Sequence, residues 1–299
     1  MQTRFLLGPA GSGKTFRCLE EIRAALAAPK QSEGGLKQNS EDELIFLAPK
    51  QATFQLERQL LVEQASSLSH NFPNGFTRLH ILSFERLARF VFEKLNIAMP
   101  EQLSEEGRVM VLRALLLRHE NELNLFHQSA RRPGFANQLS QLLRELQQHK
   151  ITLEKLRSLA QNKNLHAELR DKLNDLALLH ENYSRWLAEN KLQDANCLLD
   201  FAANSLREVF TTQNPKFKIQ NLFLDGFAEM TPQELDLLAA ILPFCENDTL
   251  AFCLEEVTEK ENSWLSIWNG VAKTFQQCRQ RIENLPDAKV EIEFLQRDS

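Results

Sequence analysis

The stretch Gly8-Pro9-Ala10-Gly11-Ser12-Gly13-Lys14-Thr15 has the spacing G-x-x-x-x-G-K-[ST]. Closely spaced glycines let consecutive backbone N–H groups turn inward without Cβ interference and form a nest for anionic oxygens at the positive end of a helix. A lysine at position 14 would reach the β and γ phosphates, and the Thr15 hydroxyl would ligate Mg²⁺. The chain has only 10 glycines, and three of them fall within these eight residues. P-loop nucleotide sites need a second metal group, an aspartate at the end of a buried strand. Asp225 ends the apolar run Leu222-Phe223-Leu224, although an Asp-Gly pair is also an ordinary tight turn.

The elements around these residues have the order such a site requires. "TRFLLG" reads as a buried strand, and a helix is expected from about Lys14 to Ala28. Pro29 to Glu43 is a polar connection with a Gly-Gly pair. Leu44 to Ala48 is a second strand, followed by a helix carrying Leu56, Leu60 and Leu61. "LHILSF" is a third strand, leading into a helix through Leu87, Phe90, Val91 and Leu95. A β-α-β-α-β-α order implies a parallel, doubly wound sheet.

From about Pro100 to Pro215 no strand pattern is visible. Phe135, Leu139, Leu142, Leu143 and Leu146 recur at helical spacing, as do Leu169, Leu173, Leu176, His180, Tyr183 and Leu187. Sheet character returns at Asn221 to Asp225, with a helix near Pro232 to Leu242, a strand at Thr249 to Leu254 and a final strand in "KVEIEFLQ". The expected architecture is an α/β, P-loop NTPase-like parallel sheet flanked by helices. It comprises residues 1–99 and 216–299 and is interrupted by a large all-helical insertion, 100–215.

The bulk numbers narrow the function classes. A chain of 299 residues with 43% hydrophobic and 25% charged residues can bury a sizeable core. Its net charge of -5 and pI near 5.9 leave nucleic-acid contact to local patches. Five cysteines, odd in number and without a CxxC pair, suit reduced thiols in a cytoplasmic protein. No apolar run approaches 18 residues, and the amino terminus has no signal-peptide pattern. None of His70, His80, His119, His127, His149, His166 and His180 pairs with a Cys or second His at metal-ligand spacing. His180 reads as a buried, hydrogen-bonded side chain on an apolar helix face.

Four ordered segments, "GPAGSGKT", "LIFLAPKQATFQLERQL", "RLHILSFERLARF" and "LFLDGFAEMTPQE", around a helical insertion, resemble the N-terminal helicase-like region of the AddB family. AddB is the second subunit of the bacterial AddAB helicase-nuclease. More distantly the segments are similar to UvrD-type superfamily 1 helicases. The resemblance covers essentially the whole chain.

The resemblance implies an N-terminal fragment of an AddB-like subunit that works with an AddA-like partner on DNA ends in double-strand break repair and recombination. Its degenerate motor would help recognise a regulatory sequence in the displaced strand. ATP and Mg²⁺ would be held by Gly8 to Thr15 and Asp225. Single-stranded DNA would lie on Lys50, Gln51, Thr53, Phe54, Ser83 and Phe84. The types suit that role, since hydroxyls and amides bond phosphate and an aromatic ring stacks on a base. Phe54 and Phe84, each beginning a helix with other apolar residues, also read as core. Arg131 and Arg132, and Lys216 and Lys218, are further charge pairs at element ends, where side chains are usually solvated. Glu105, Glu106, Glu120 and Glu122 make much of the insertion's surface unsuited to DNA.

Two departures from the UvrD-like pattern bear on hydrolysis. Those motors follow the aspartate with a glutamate that orients water, whereas Gly226 follows Asp225; a substitute would have to be Glu229 or an outside residue. A positioned base contributes about 10² to 10⁴ in rate. The γ-phosphate-sensing glutamine is also not evident in "EEVTEKENSW", and the arginine fingers belong to a second motor domain. The expectation is therefore ATP binding with weak or no ATPase activity and no catalytic residue in this chain. AddB subunits generally carry a nuclease domain and an iron-sulfur cluster, and nothing here matches either. Two other readings of the P-loop stay open: a free-standing kinase or phosphotransferase, and a structural module with a vestigial loop.

Overall fold

A computed structural model of the chain describes residues 2–27, 43–66, 78–211, 218–257, 266 and 268–297, with side chains of 62–66 left aside. Most of the polar connection from Pro29 to Glu43, His70, Lys216 and most of "EEVTEKENSW" lie outside the described residues.

The chain starts with β1 (Gln2–Leu7), α1 (Lys14–Ala27), β2 (Glu43–Leu47), α2 (Thr53–Ser66), β3 (Leu79–Leu82) and α3 (Phe84–Leu95). Then come β4 (Gln102–Leu103), α4 (Glu105–Arg118), α5 (Phe135–Gln148), α6 (Leu153–Ala160), α7 (Ala167–Glu189), β5 (Gln193–Asp194) and α8 (Leu198–Thr211). The last elements are β6 (Ile219–Leu224), α9 (Pro232–Ile241), β7 (Cys245–Phe252), α10 (Asn269–Glu283) and β8 (Lys289–Phe294).

Six strands form one sheet in the order β3-β2-β6-β7-β1-β8, with every pairing parallel. The α/β reading holds, and the reason is visible in the strands. "ELIFL" is buried at every position, as befits a parallel strand covered on both faces. On one face Leu19 and Ile22 of α1 and Leu56 and Leu60 of α2 pack on Leu6, Leu44, Phe46 and Phe223. On the other, the Phe275 ring of α10 meets Phe5 at 5.1 Å and Phe252 at 5.8 Å.

One strand starts earlier than its apolar run suggests. β7 begins at Cys245 because Glu246 and Asn247 are exposed at the sheet's base, so the apolar pattern does not register them. The consequence is a buried polar residue, Asp248, inside the sheet opposite Thr3.

The chain divides into two compact units: residues 1–97, 202–230 and 234–299, and residues 98–201 with 231–233. The second is built on helices whose apolar faces meet in one core, including Leu112, Leu116, Leu139, Leu143, Leu179 and Tyr183. Ser104 and Thr152 cap α4 and α6 by accepting amide hydrogen bonds. It also contains a parallel pairing of β4 with β5, two residues long, which helical periodicity does not signal. A buried network pins β5. Arg108 donates to Ser140 at 2.8 Å and to Asp194 at 3.2 Å, and the Tyr183 hydroxyl donates to Asp194 at 2.8 Å. Arg131 and Arg132 are both exposed, and the Arg131 guanidinium pairs bidentately with Glu120.

Candidate nucleotide site

Because all six strands run the same way, the loops after β1, β2, β3 and β6 emerge at one edge of the sheet, the carboxyl edge where open α/β sheets bind ligands. Residues 8–13 form the turn between β1 and α1. Gly11 and Gly13 have φ of +79° and +84°, the left-handed backbone that aims successive amides inward. The first amides of α1 have no carbonyl partner within the helix, so they add donors at its positive end.

Lys14 is buried beneath this loop. Its ammonium donates to Gly8 O at 2.7 Å, Pro9 O at 2.6 Å and Ser12 Oγ at 3.2 Å, which uses all three protons. Reaching a phosphate means exchanging at least one of these bonds.

Thr15 sits in the first turn of α1, and its hydroxyl donates to Asp225 Oδ2. Asp225 follows β6, which is two places from β1 in the sheet, so the contact spans the intervening β7. The other carboxylate oxygen, Oδ1, accepts from Gly226 N at 2.8 Å, and Asp225 N donates to Leu47 O at 3.1 Å. Burial raises the Asp225 pKa, while the Thr15 hydroxyl, the Gly226 amide and the Lys14 charge pull it back down. A hydroxyl and a carboxylate sharing one point are hard oxygen donors of the kind that Mg²⁺ takes, and the nest supplies donors for phosphate. The residues present fit a magnesium-bound triphosphate.

The step after Asp225 holds a side chain only with strain. Gly226 has φ +85°, and a Cβ there would stand 3.2 Å from Pro49 Cδ. Glu229, the possible substitute base, is turned toward α10: its Oε1 lies 2.6 Å from where a Cβ on Gly270 would stand.

A residue that motif reading overlooks adjoins the loop. Leu295 N donates to Leu7 O at 2.7 Å, continuing the β8 pairing, and so brings the exposed Arg297 to the nest. Its Nε and Nη2 are 3.7 and 3.9 Å from the point where a Cβ on Gly11 would stand. The available signal was positional, an arginine just beyond a terminal strand, and it becomes legible only once β8 is known to lie beside β1.

The other candidate residues divide by exposure. Lys50 and Gln51 are exposed in the turn after β2, and Phe54 in the first turn of α2 is 75% exposed. Thr53 is buried and donates to Lys50 O at 3.1 Å. Ser83 caps α3, accepting from Arg86 N at 3.5 Å. Phe84 is 3% exposed, with its ring 5.3 Å from that of Phe227, so it is a core side chain. Of the two phenylalanines, then, only Phe54 offers an open face. Lys218 is exposed. Among the described residues no group of three or more His, Cys, Asp or Glu is placed to hold a metal; His180, expected to be buried and hydrogen-bonded, is half-buried with its pKa lowered by burial, and its Nδ1 has no hydrogen-bond partner. No helix among them is long and apolar enough to cross a membrane.

Comparison with known proteins gives one answer. A family model described as "ADDB, N-terminal" matches residues 5–298. Over 279 residues the chain is 33% identical to a protein of Natranaerobius thermophilus named as a subunit of an ATP-dependent helicase/deoxyribonuclease, covering 93% of this chain and 22% of that protein. It is 37% identical over 258 residues to the protein of the same name from Desulforudis audaxviator, covering 85% and 20%. With that from Anoxybacillus flavithermus it shares 30% over 298 residues, covering 97% and 24%. The chain thus spans about a fifth to a quarter of the length of these curated relatives.

Proposed function

Since this chain belongs to the ADDB N-terminal family, we propose that it is a nucleotide-holding, DNA-contacting module of an ATP-dependent helicase-nuclease. It binds ATP·Mg²⁺ between residues 8–15 and Asp225 and turns it over slowly or not at all. The observation that carries this reading is the contact between Thr15 and Asp225, the two oxygen donors that a P-loop site needs on one metal. The metal would neutralise phosphate charge. The loop amides and Lys14 would hold the phosphates, and Arg297 would add a charge-assisted bond at the rim.

Slow turnover follows from Gly226. Its left-handed backbone, with the Pro49 ring beside it, strains any side chain at the step from which a carboxylate would orient water, and the Glu229 carboxylate lies beside Gly270 at the start of α10. Single-stranded DNA would lie on Lys50, Gln51 and Phe54, with Thr53 and Ser83 shaping the loops. The whole protein would act in the cytoplasm with an AddA-like partner on broken DNA ends.

Titration with a fluorescent ATP analogue and Mg²⁺, with and without oligo-dT, tests the reading. Binding of both ligands, with a steady ATPase rate below about 1 s⁻¹, the low end of ordinary turnover, is the expected result. Nucleotide binding without DNA binding would point to a small-molecule phosphotransferase, and binding of neither to a structural module with a vestigial loop. A faster ATPase abolished by Lys14→Ala would refute the holding role.

A further inference from the structure

Helix α4 (Glu105–Arg118) is apolar on two faces. One is buried, with Leu112, Leu115 and Leu116 packed into the core of the helical unit. The other faces water. Glu106, Met110, Arg113, Ala114 and Leu117 follow one another at helical spacing as a single exposed stripe, in which Met110 is 72% and Leu117 47% exposed. A helix that is apolar all round belongs in an interior, and a contiguous apolar patch rimmed by charge marks an interaction surface. The rim is available too. Among the described residues neither Arg113 nor Arg118 has an ion-pair partner, whereas Arg131, Arg144, Arg157 and Arg185 of the same unit pair with glutamates.

The order of charge along α4 says what fits it. Glu105 and Glu106 open the helix, and Arg113 and Arg118 stand in its second half. A partner helix of one sign would be repelled at one end. A helix with the same order laid antiparallel meets each end with its opposite and sets the two helix dipoles head to tail. The chain itself supplies that helix.

We infer that α4 is a self-association surface, pairing antiparallel with α4 of a second copy of this chain about a two-fold axis. Such a contact is isologous: where Glu106 meets Arg113 of the second copy, Arg113 meets the second copy's Glu106. The midpoint between positions 106 and 113 falls beside Met110, which therefore packs on its own symmetry mate. Ala114 leaves room for the backbones to approach, and Leu117 covers the start of the other helix. The centre is apolar and the flanks are charged, as in protein interfaces generally. One helix pair covers less than the about 1,200 Å² at which stable interfaces begin, so the pairing is expected to be weak and reversible. It stands apart from the nucleotide reading.

Sedimentation of the 299-residue chain at rising concentration tests the pairing. The weight-average mass is expected to climb from 34.4 kDa toward twice that value between about 1 μM and 1 mM. Met110→Asp puts a charge at the axis; at so exposed a position it should melt as wild type does, and it should stay monomeric throughout. Arg113→Glu brings like charges together on both sides of the axis and should weaken pairing by about tenfold, as should Glu106→Arg. The double variant Glu106→Arg/Arg113→Glu restores opposite charges and should return to within about threefold of wild type. A wild-type chain that stays monomeric over the whole range would overturn the pairing and leave the stripe to a different partner. Association that survives Met110→Asp, or a double variant no tighter than the single ones, would place the contact elsewhere and overturn it equally.

Discussion

The Thr15 hydroxyl donates to Asp225 Oδ2 across 210 residues of sequence, on helix α1 and at the end of strand β6 respectively. If this pair is the metal position, removing either oxygen should weaken nucleotide binding only when magnesium is present. Thr15→Val and Asp225→Asn are each expected to lower Mg²⁺-dependent affinity for an ATP analogue by about tenfold or more, in line with a lost bond to a charged group. In EDTA both should match wild type by the same titration.

Arg297 predicts a different signature. Its guanidinium adjoins the P-loop without underlying the fold, so Arg297→Ala should leave the melting temperature unchanged. Affinity for ATP should fall about tenfold, with a smaller loss for ADP, as expected for a rim charge that meets the outer phosphate. Equal losses for both nucleotides would place the side chain nearer the β phosphate.

Gly226→Glu would on sequence grounds restore a hydrolytic glutamate. At φ +85° with Pro49 Cδ 3.2 Å from the new Cβ, the substitution is instead expected to cost roughly 1–3 kcal/mol of stability. The ATPase rate should remain below about 1 s⁻¹. Urea denaturation and a coupled phosphate-release assay measure the two effects.

Phe54 and Phe84 should part company. Phe54→Ala removes an exposed ring and should weaken oligo-dT binding by about 1–3 kcal/mol at constant stability. Phe84→Ala empties a buried site packed on Phe227 and should destabilise the chain by about 3–5 kcal/mol. Melting curves alongside fluorescence anisotropy distinguish the two losses.

Asp248 gives a pH dependence. Its carboxyl is 2% exposed and neither oxygen has a well-formed hydrogen bond. Burial pushes its pKa from the ordinary 3.8 up to about 7, against the pull of the neighbouring Thr3 hydroxyl. Between those values the folded chain keeps a proton that the unfolded chain has released. This contribution to stability is therefore full below about pH 4, falls as pH rises to about 7 and is flat beyond. Asp248→Asn should remove that slope and raise the melting temperature at about pH 8, while changing it little at about pH 4.

Much of this was legible in the chain itself. The glycine-rich turn before α1, the strand ending at Asp225 and the parallel sheet each follow from local signals: glycine spacing, short apolar runs and alternation of strand with helix. These depend on residues close together in sequence, so periodicity and propensity report them. The polar start of β7 and the two-residue β4–β5 pairing were not legible, because neither forms an apolar run. Asp248 is buried by its neighbours, and β5 is held by Arg108 and Tyr183 from other elements.

The sequence by itself determined which groups are available: a glycine-spaced turn, one lysine, one hydroxyl, one carboxylate and a glycine directly after that carboxylate. Only the tertiary structure decided which of these meet. Strand order placed β6 two positions from β1 and β8 directly beside it, bringing Asp225 to Thr15 and Arg297 to Gly11. Packing likewise turned Phe54 outward and Phe84 inward, although both follow a strand and open a helix. The physical reason is that hydrogen-bonded register and side-chain burial are set between elements distant in sequence, where no local pattern carries the information.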